Sequence, residues 1–322
     1  MSGTSTPDIS IIVASYNVAP LLAECLRSLP AALAGLTGEI WVVDNDSRDG
    51  SADMVRSEFP QVHLIQNSVN RGFAKANNQA LAEARGRYFL LLNPDTYVPA
   101  GTLLPMVEYM DQNPTVGMAG PRLMRPDGRL DEACRRSFPT PLSALSRFLG
   151  LDRMFPKSRF FGSYRKTFLD PQQCYEVDSV VGAFMLLRRQ AMEDVGGLDE
   201  DYFMFGEDLD WCYRLRSNRW KVVYLGSFCA IHHKGASSAG APYRMNYHFH
   251  RSMVLFHRKH LINNYPFFVN WAVYGGISLR YAIKSASMMV RGRPRLQDPV
   301  PRALPRGLEP PPAQGAERSA EK

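Results

Sequence analysis

Two acidic clusters carry most of the chemistry this chain could perform. The first centres on Asp95, in Leu92-Asn93-Pro94-Asp95-Thr96, directly after the apolar run Tyr88-Phe89-Leu90-Leu91-Leu92. Such a run bounded by a turn signal reads as a buried strand, and Pro94 cannot continue its ladder. Asp95 therefore falls at the carboxyl end of a strand, where open α/β sheets bind their ligands. A carboxylate there suits a hard divalent cation, Mg²⁺ or Mn²⁺, and through it phosphates. The plainer alternative is a turn residue. The second cluster is Gly206-Glu207-Asp208-Leu209-Asp210-Trp211, followed by Arg214. Acids at the start of a helix gain from its dipole. Asp210 and Arg214, spaced i,i+4, read as a structural pair. That leaves Asp208, beside Glu207, as the candidate general base, with neighbouring carboxylates pushing its pKa upward.

Further polar groups follow strands on the same edge. Ser15-Tyr16-Asn17 comes after a first apolar strand and Asp44-Asn45-Asp46 after a second. These side chains can take up the donors and acceptors of a nucleobase and ribose. Either Asp49 or Ser51 should cap the helix that follows, with Ser51 favoured and Asp44 left for a ligand. Asn70-Arg71-Gly72-Phe73-Ala74-Lys75-Ala76-Asn77-Asn78 opens another helix, and a helix N-terminus with glycine and two basic residues is a natural phosphate neighbour. His232-His233-Lys234-Gly235-Ala236-Ser237 follows a late strand, and a neutral imidazole there can ligate Mn²⁺ or meet phosphate. There is no GxGxxG and no GxxxxGK[ST], which excludes a nicotinamide or flavin dinucleotide fingerprint and a P-loop.

Strands expected at 9–14, 39–43, 62–66 and 88–92 alternate with helices at 19–29, 51–58 and 73–84. This pattern implies a parallel, doubly wound sheet whose strand ends share one edge. Helices follow at 103–112, 190–195 and 207–217, with strands at 177–187 and 221–225. The stretch 121–176 is rich in Arg, Pro and aromatics without a clean period. In it Arg135, Arg136, Phe160, Phe161 and Tyr164 fit an acceptor site or surface and core equally.

The chain has 322 residues, 45% hydrophobic and 21% charged, with a net charge of +7. That is a globular composition with room for a sizeable core. A basic balance suits a membrane surface or an anionic ligand. Five scattered cysteines without a CxxC pair argue against a disulfide framework and a zinc site, and fit a reducing compartment. No basic region precedes the short first apolar run, so no signal peptide is expected. Residues 267–290 are apolar and aromatic but interrupted by Arg280 and Lys284. They read as a helix in the membrane interface, with Arg291, Arg293 and Arg295 meeting headgroups, or as a helix packed on the protein itself. Seven prolines in the nineteen residues from Pro294 mark a disordered tail.

In order, Ser15-Tyr16-Asn17, Val42-Val43-Asp44-Asn45 through Asp49-Gly50-Ser51, Asn70-Arg71-Gly72-Phe73, Leu92-Asn93-Pro94-Asp95, Gly182-Ala183-Phe184, Gly206-Glu207-Asp208-Leu209-Asp210 with Arg214, and His232 with Gly235 and Ser237 resemble the family-2 glycosyltransferases, in their rhamnosyltransferase-like branch. The likeness runs from about residue 8 to 260. It implies a GT-A fold, α/β and Rossmann-like with a mostly parallel central sheet and a C-terminal helical membrane-associating extension. The GT-A domain spans 1–265, with a nucleotide-binding half at about 8–100 and an acceptor half at about 101–265. A helix at 266–293 and a tail at 294–322 follow.

The resemblance assigns roles. Asp44 contacts a pyrimidine base. Ser15, Tyr16, Asn17, Asn45, Asn70, Arg71, Gly72, Asn77 and Asn93 line the donor site. Asp95 ligates a divalent cation, His232 ligates that metal or the diphosphate, and Asp208 is the base with Glu207 beside it. Asn93 stands where many relatives have Asp, leaving the metal site one charge fewer. The implied reaction is inverting transfer of a sugar to a lipid-linked or polysaccharide acceptor at the cytoplasmic membrane face. The donor is dTDP-L-rhamnose, or alternatively a UDP-sugar. No nucleic-acid partner is expected. A nucleotidyltransferase would need a basic loop early in the chain, and residues 17–29 hold only Arg27. A non-catalytic glycan-binding or scaffold protein with a relic site is the remaining alternative, against which the Glu207-Asp208 pair and Asp95 count.

Overall fold

The computed structural model describes residues 6–233 and 241–291. In the first third, β1 (Ile9–Ser15), α1 (Ala19–Ala32), β2 (Gly38–Asn45), α2 (Ser51–Glu58), β3 (His63–Asn67), α3 (Phe73–Glu83) and β4 (Tyr88–Leu92) alternate as the periodicity requires. β1 pairs in parallel with β2 and β4, and β2 with β3. The four carboxyl ends therefore share one edge. β1 and β4 are apolar almost throughout because helices cover both faces of a parallel sheet, and Ile11, Val13, Phe89 and Leu91 are fully buried.

The chain continues through β5 (Thr96–Tyr97), α4 (Leu103–Gln112), β6 (Val116–Met124), α5 (Pro141–Phe148), α6 (Leu151–Met154), β7 (Cys174–Val177), β8 (Phe184–Arg188), α7 (Arg189–Val195), α8 (Glu207–Ser217), β9 (Lys221–His232), α9 (Pro242–Phe256) and α10 (Phe267–Arg291). Here the sheet turns mixed. β8 lies antiparallel between β4 and β6, and β9 runs parallel to β6 but antiparallel to β5 and β7.

Four expectations need correction. The first helix runs past Pro30 to Ala32. Burial of Leu29 and Ala32 in the core offsets the donor that Pro30 lacks. The strand expected at 177–187 is two strands separated by a turn, because β7 pairs with β9 while β8 pairs with β4 and β6. β9 extends to His232, so that histidine ends the strand rather than following it. Ser51 is not the cap of α2. Gly50 occupies that position with φ 84°, and Asp49 does the capping from one residue earlier, accepting from the Ser51 amide at 3.1 Å and hydroxyl at 2.5 Å. Its other oxygen accepts from Ala19 at the start of α1, at 2.7 Å.

Among the described residues no helix is long and apolar enough to cross a membrane. α10 packs on the protein along one side. That side meets α9 and the turn before it, where Asn270 Oδ1 accepts from His257 Nε2 at 2.7 Å and Asn270 Nδ2 donates to the Ile262 carbonyl at 2.9 Å. The other side leaves Phe267, Phe268 and Trp271 exposed. Arg293, Arg295, the tail and 234–237 lie outside the described residues.

Asp49 serves two helix starts from an exposed position, where water screens it. Asp49→Ala should lower stability by about 1 kcal/mol, read as a drop in the denaturant midpoint with an unchanged slope.

Candidate active site

One cavity of about 1180 Å³ opens at the carboxyl edge of the sheet. Ser15, Tyr16, Asn17, Asn45, Asn70, Gly72, Asn93, Asp95, Glu207, Asp208 and His232 all line it, so residues spread over most of the chain meet in one place.

The nucleotide side is built by loops that tie one another down. Asn17 adopts φ 52°. Its amide donates to Ser47 Oγ at 2.9 Å and its Oδ1 accepts from the Arg48 amide at 2.7 Å. Asn45 donates to the Gly72 carbonyl at 3.1 Å and accepts from the Asn67 side chain and the Arg71 amide. It positions the 70–72 loop rather than presenting free groups. Gly72 is required there: φ is +88°, and a Cβ would stand 2.5 Å from the Phe203 carbonyl oxygen. Asp44, opposite Ser15 in register, is fully buried just outside the lining. Its Oδ2 accepts from the Ser47 amide at 3.0 Å. Its Oδ1 is buried with no hydrogen-bond partner, as is Ser15 Oγ. An orphaned buried acceptor is costly, and an imide N–H would relieve it. Two further residues of the expected donor set do not line the cavity. The Arg71 side chain is exposed and outside the lining. Asn77 is buried in α3 and donates to the Phe73 carbonyl one turn back, at 2.8 Å.

At the end of β4, Asp95 is 4% exposed. Its Oδ1, without a hydrogen bond, faces His232 Nε2 at 3.3 Å, and the Asn93 amide lies 3.4 Å from the same nitrogen. The far side of the ring, Nδ1, lies 3.5 Å from Asp131 Oδ2. Burial opposes a charged imidazole, but the Asp131 and Asp95 carboxylates outweigh it and raise His232 to about 9. Adjacent ligands of a six-coordinate ion with ~2.1 Å bonds stand about 3 Å apart, so this oxygen and nitrogen fit one small cation after the ring loses its proton. Among the described residues no group of three or more His, Cys, Asp or Glu forms a cage. An ion held here would need further oxygens from phosphate or water.

The third group sits at the start of α8, after a strained turn in which Phe205 has φ 70° and Gly206 φ 85°. Non-glycine residues in that region cost energy and gather at functional sites. Asp208 Oδ2 accepts from Arg136 Nη2 at 2.6 Å and from the Gly182 amide at 3.1 Å. Both charged side chains are nearly buried, 11% and 8% exposed. Burial and then the Asp208 charge raise the pKa of Glu207 to about 8. Glu207 therefore keeps its proton at neutral pH. Asp210 is structural as read, bound by Arg214 Nε at 2.8 Å and His260 Nε2 at 2.6 Å.

Sequence reasoning left Arg136 undecided and did not single out Asp131 or Arg147, and it read Gly182 as part of a motif without a role for its amide. The first three lie in the stretch without a period, and a backbone amide leaves no mark in the sequence.

The profile of Glycosyl transferase family 2 matches residues 10–196. The chain belongs to glycosyltransferase family 2. Relatives of this glycosyltransferase include the N-acetylglucosaminyl-diphospho-decaprenol L-rhamnosyltransferase of Mycobacterium tuberculosis, 27% identical over 301 residues covering 90% of this chain and 97% of that one. Another is the rhamnosyltransferase WbbL of Escherichia coli K12, 29% identical over 210 residues covering 61% and 74%. Among solved structures, the Pyrobaculum calidifontis mannosyltransferase PcManGT, in complex with GDP-Man and Mn²⁺, superposes with a TM-score of 0.55 at 19% identity, covering 90% of this chain and 77% of that one. Staphylococcus aureus TarS 1-349 gives 0.53 at 16%, covering 87% and 73%. The fold of the glycosyltransferase is GT-A.

The Glu207 environment gives a signed pH test. Its folded pKa lies above the ordinary 4.5, so between about 4.5 and 8 the folded state holds more protons than the unfolded state, and stability falls as pH rises through that window. Glu207→Gln cannot ionise. Its melting temperature relative to wild type should climb from pH 5 to pH 8, and a constant difference would overturn this assignment.

Proposed function

We propose that this glycosyltransferase moves L-rhamnose from dTDP-L-rhamnose, with inversion, to a hydroxyl of a lipid-linked glycan acceptor during cell-surface glycan synthesis. The observation that carries the reaction is that Asp95 and Asp208, a donor-side and an acceptor-side carboxylate, line one cavity. The sugar and the acceptor rest on the rhamnosyltransferase relatives, one of whose names includes a diphospho-decaprenol acceptor.

In this reading the pyrimidine base lies over Asp44 and Ser15, where the unpartnered Asp44 Oδ1 accepts the imide N–H. The diphosphate lies towards Asp95 and His232. Asp95 and His232 would hold a divalent cation, Mg²⁺ or Mn²⁺, which would supply positive charge to offset the negative charge developing on the departing diphosphate. The acceptor oxygen bonds to the anomeric carbon on the face opposite the diphosphate as its proton passes to Asp208. The bond from carbon to the diphosphate oxygen breaks, and its electron pair leaves with the nucleotide. Arg136 and the Gly182 amide hold Asp208 in place, and Glu207, protonated at neutral pH, adds no second negative charge beside it.

Asp208→Asn should reduce transfer by about 10²–10⁴-fold with donor binding unchanged. Near wild-type turnover in that variant would remove Asp208 as the base. Melting temperature measured with dTDP, UDP, GDP and CMP, each with and without Mn²⁺, tests the donor, because a ligand of the folded state raises it by mass action. A Mn²⁺-dependent rise with dTDP is expected. A rise confined to UDP would replace the donor with a UDP-sugar, and no rise with any nucleotide would favour a relic site.

We further propose that the protein works peripherally on the inner face of the cytoplasmic membrane, through the outward face of α10. Phe267 and Trp271 are 76% and 73% exposed and do not line the cavity, and Lys284 follows on the same helix. Co-sedimentation with vesicles should increase with anionic lipid and fall in Phe267→Glu/Trp271→Glu. Equal sedimentation of variant and wild type would place the contact elsewhere.

A further inference from the structure

The cavity is larger than the reaction centre needs. Ligand sites for one small molecule usually occupy about 300–1,000 Å³, whereas this one reaches about 1180 Å³. Its excess is apolar. Beyond Asp208 the wall passes to Leu142 and Leu145 on α5, Phe249 and Met253 on α9, and Val273 and Ile277 on α10. Among the described residues the carboxylates lining the cavity are Asp95, Glu207 and Asp208, all at the reaction centre. No Asp or Glu occurs between Trp211 and Gln297, so α9 and α10 bring only cations.

Two of those lining cations matter here. Arg147, on α5, reaches Asp152 only at 3.8 Å and stacks over Tyr164 at 4.6 Å. Arg280, on α10, lies 5.7 Å from the centre of the Phe249 ring. Both line the same cavity. Two guanidinium groups on one apolar-walled cavity match an anion with a long hydrocarbon attached. α10 also carries the exposed aromatic face, so the far wall of the groove is the helix with the most apolar surface open to solvent.

We propose that the groove between α5, α9 and α10 binds the prenyl chain of a polyprenyl-diphosphate acceptor, with Arg147 and Arg280 meeting its diphosphate. This rests on the lipid-linked acceptor of the preceding section and gives that acceptor a path. The chain replaces water along the apolar wall, and the acceptor sugar, joined to the diphosphate, is directed towards Asp208.

Two adjacent glycines of α10 supply the test. A Cβ at Gly275 or at Gly276 meets nothing within 4 Å, so the backbone tolerates a substituent at either position. Gly276 lines the cavity and Gly275 does not. The full chain in mild detergent, without sugar nucleotide, is titrated with radiolabelled geranyl, farnesyl and undecaprenyl diphosphates. Wild-type affinity should rise with chain length, by at least about tenfold from geranyl to undecaprenyl. Gly276→Trp should abolish that gain while leaving geranyl diphosphate binding intact, and Gly275→Trp should keep the gain. Arg147→Gln/Arg280→Gln, its fold checked by circular dichroism, should weaken all three ligands by a similar factor. Affinity independent of chain length, a gain that survives Gly276→Trp, or equal displacement by phosphatidylglycerol would overturn the site. Chain-length-dependent binding without transfer from any nucleotide sugar would leave this site standing and remove only the transferase reading above.

Discussion

The ion pair between Arg136 and Asp208 is the contact on which the acceptor side depends. Arg136 comes from the irregular stretch before β7, Asp208 from the first turn of α8, and the Gly182 amide that joins them from the turn between β7 and β8. Arg136 also donates to the Val180 carbonyl at 2.6 Å and the Ser179 hydroxyl at 3.2 Å. Three segments, two of them also joined by the antiparallel bridge between Arg136 and Ser179, are thus fixed around a single carboxylate. With both partners nearly buried, removing either one strands an uncompensated charge, which typically costs about 3–5 kcal/mol. The pair therefore holds the loop and orients the Asp208 carboxylate at once.

This arrangement divides labour between two adjacent acids. Burial and the neighbouring charge keep Glu207 protonated, while Asp208 is compensated by a guanidinium and an amide. Two carboxylates side by side without that split would repel each other at the start of α8, and the favourable helix dipole there is too small to absorb it. On the donor side the logic is reversed. Asp95 and Asp131 flank one imidazole and hold it charged until something else competes for its nitrogen.

Much of the nucleotide half was legible because a parallel sheet covered on both faces imposes a pattern on consecutive residues. The runs at β1 and β4 are apolar end to end, and their polar termini mark the ligand edge. Asp95 and Asp208 could be singled out because acids beside apolar runs need a reason. Arg136 and Asp131 could not, since their partners lie far away in sequence and no local period announces them. The break at 178–183 was hidden for a related cause: Val180, Val181 and Ala183 are as apolar as the strands on either side, and only the pairing of β7 with β9 and of β8 with β4 separates them. Asn77 and Arg71 stand off the cavity for different reasons. An amide and a cation near a helix start suggest phosphate, but one donates to a carbonyl of its own helix and the other faces water.

The shortest strand of the sheet has a disproportionate effect. β5 is only Thr96 and Tyr97, and it pairs with Ile231 and His232 at the end of β9. Asp95 immediately precedes it, so this two-residue ladder sets the distance between two groups that lie 3.3 Å apart in space but belong to opposite halves of the chain. Side chains alternate faces along a strand, so a slip of one residue in β9 would turn His232 away from Asp95. The two halves are consequently not interchangeable modules. A chimera that joins the nucleotide half of one relative to the acceptor half of another must inherit β5 and the end of β9 from the same parent, wherever else the seam is cut.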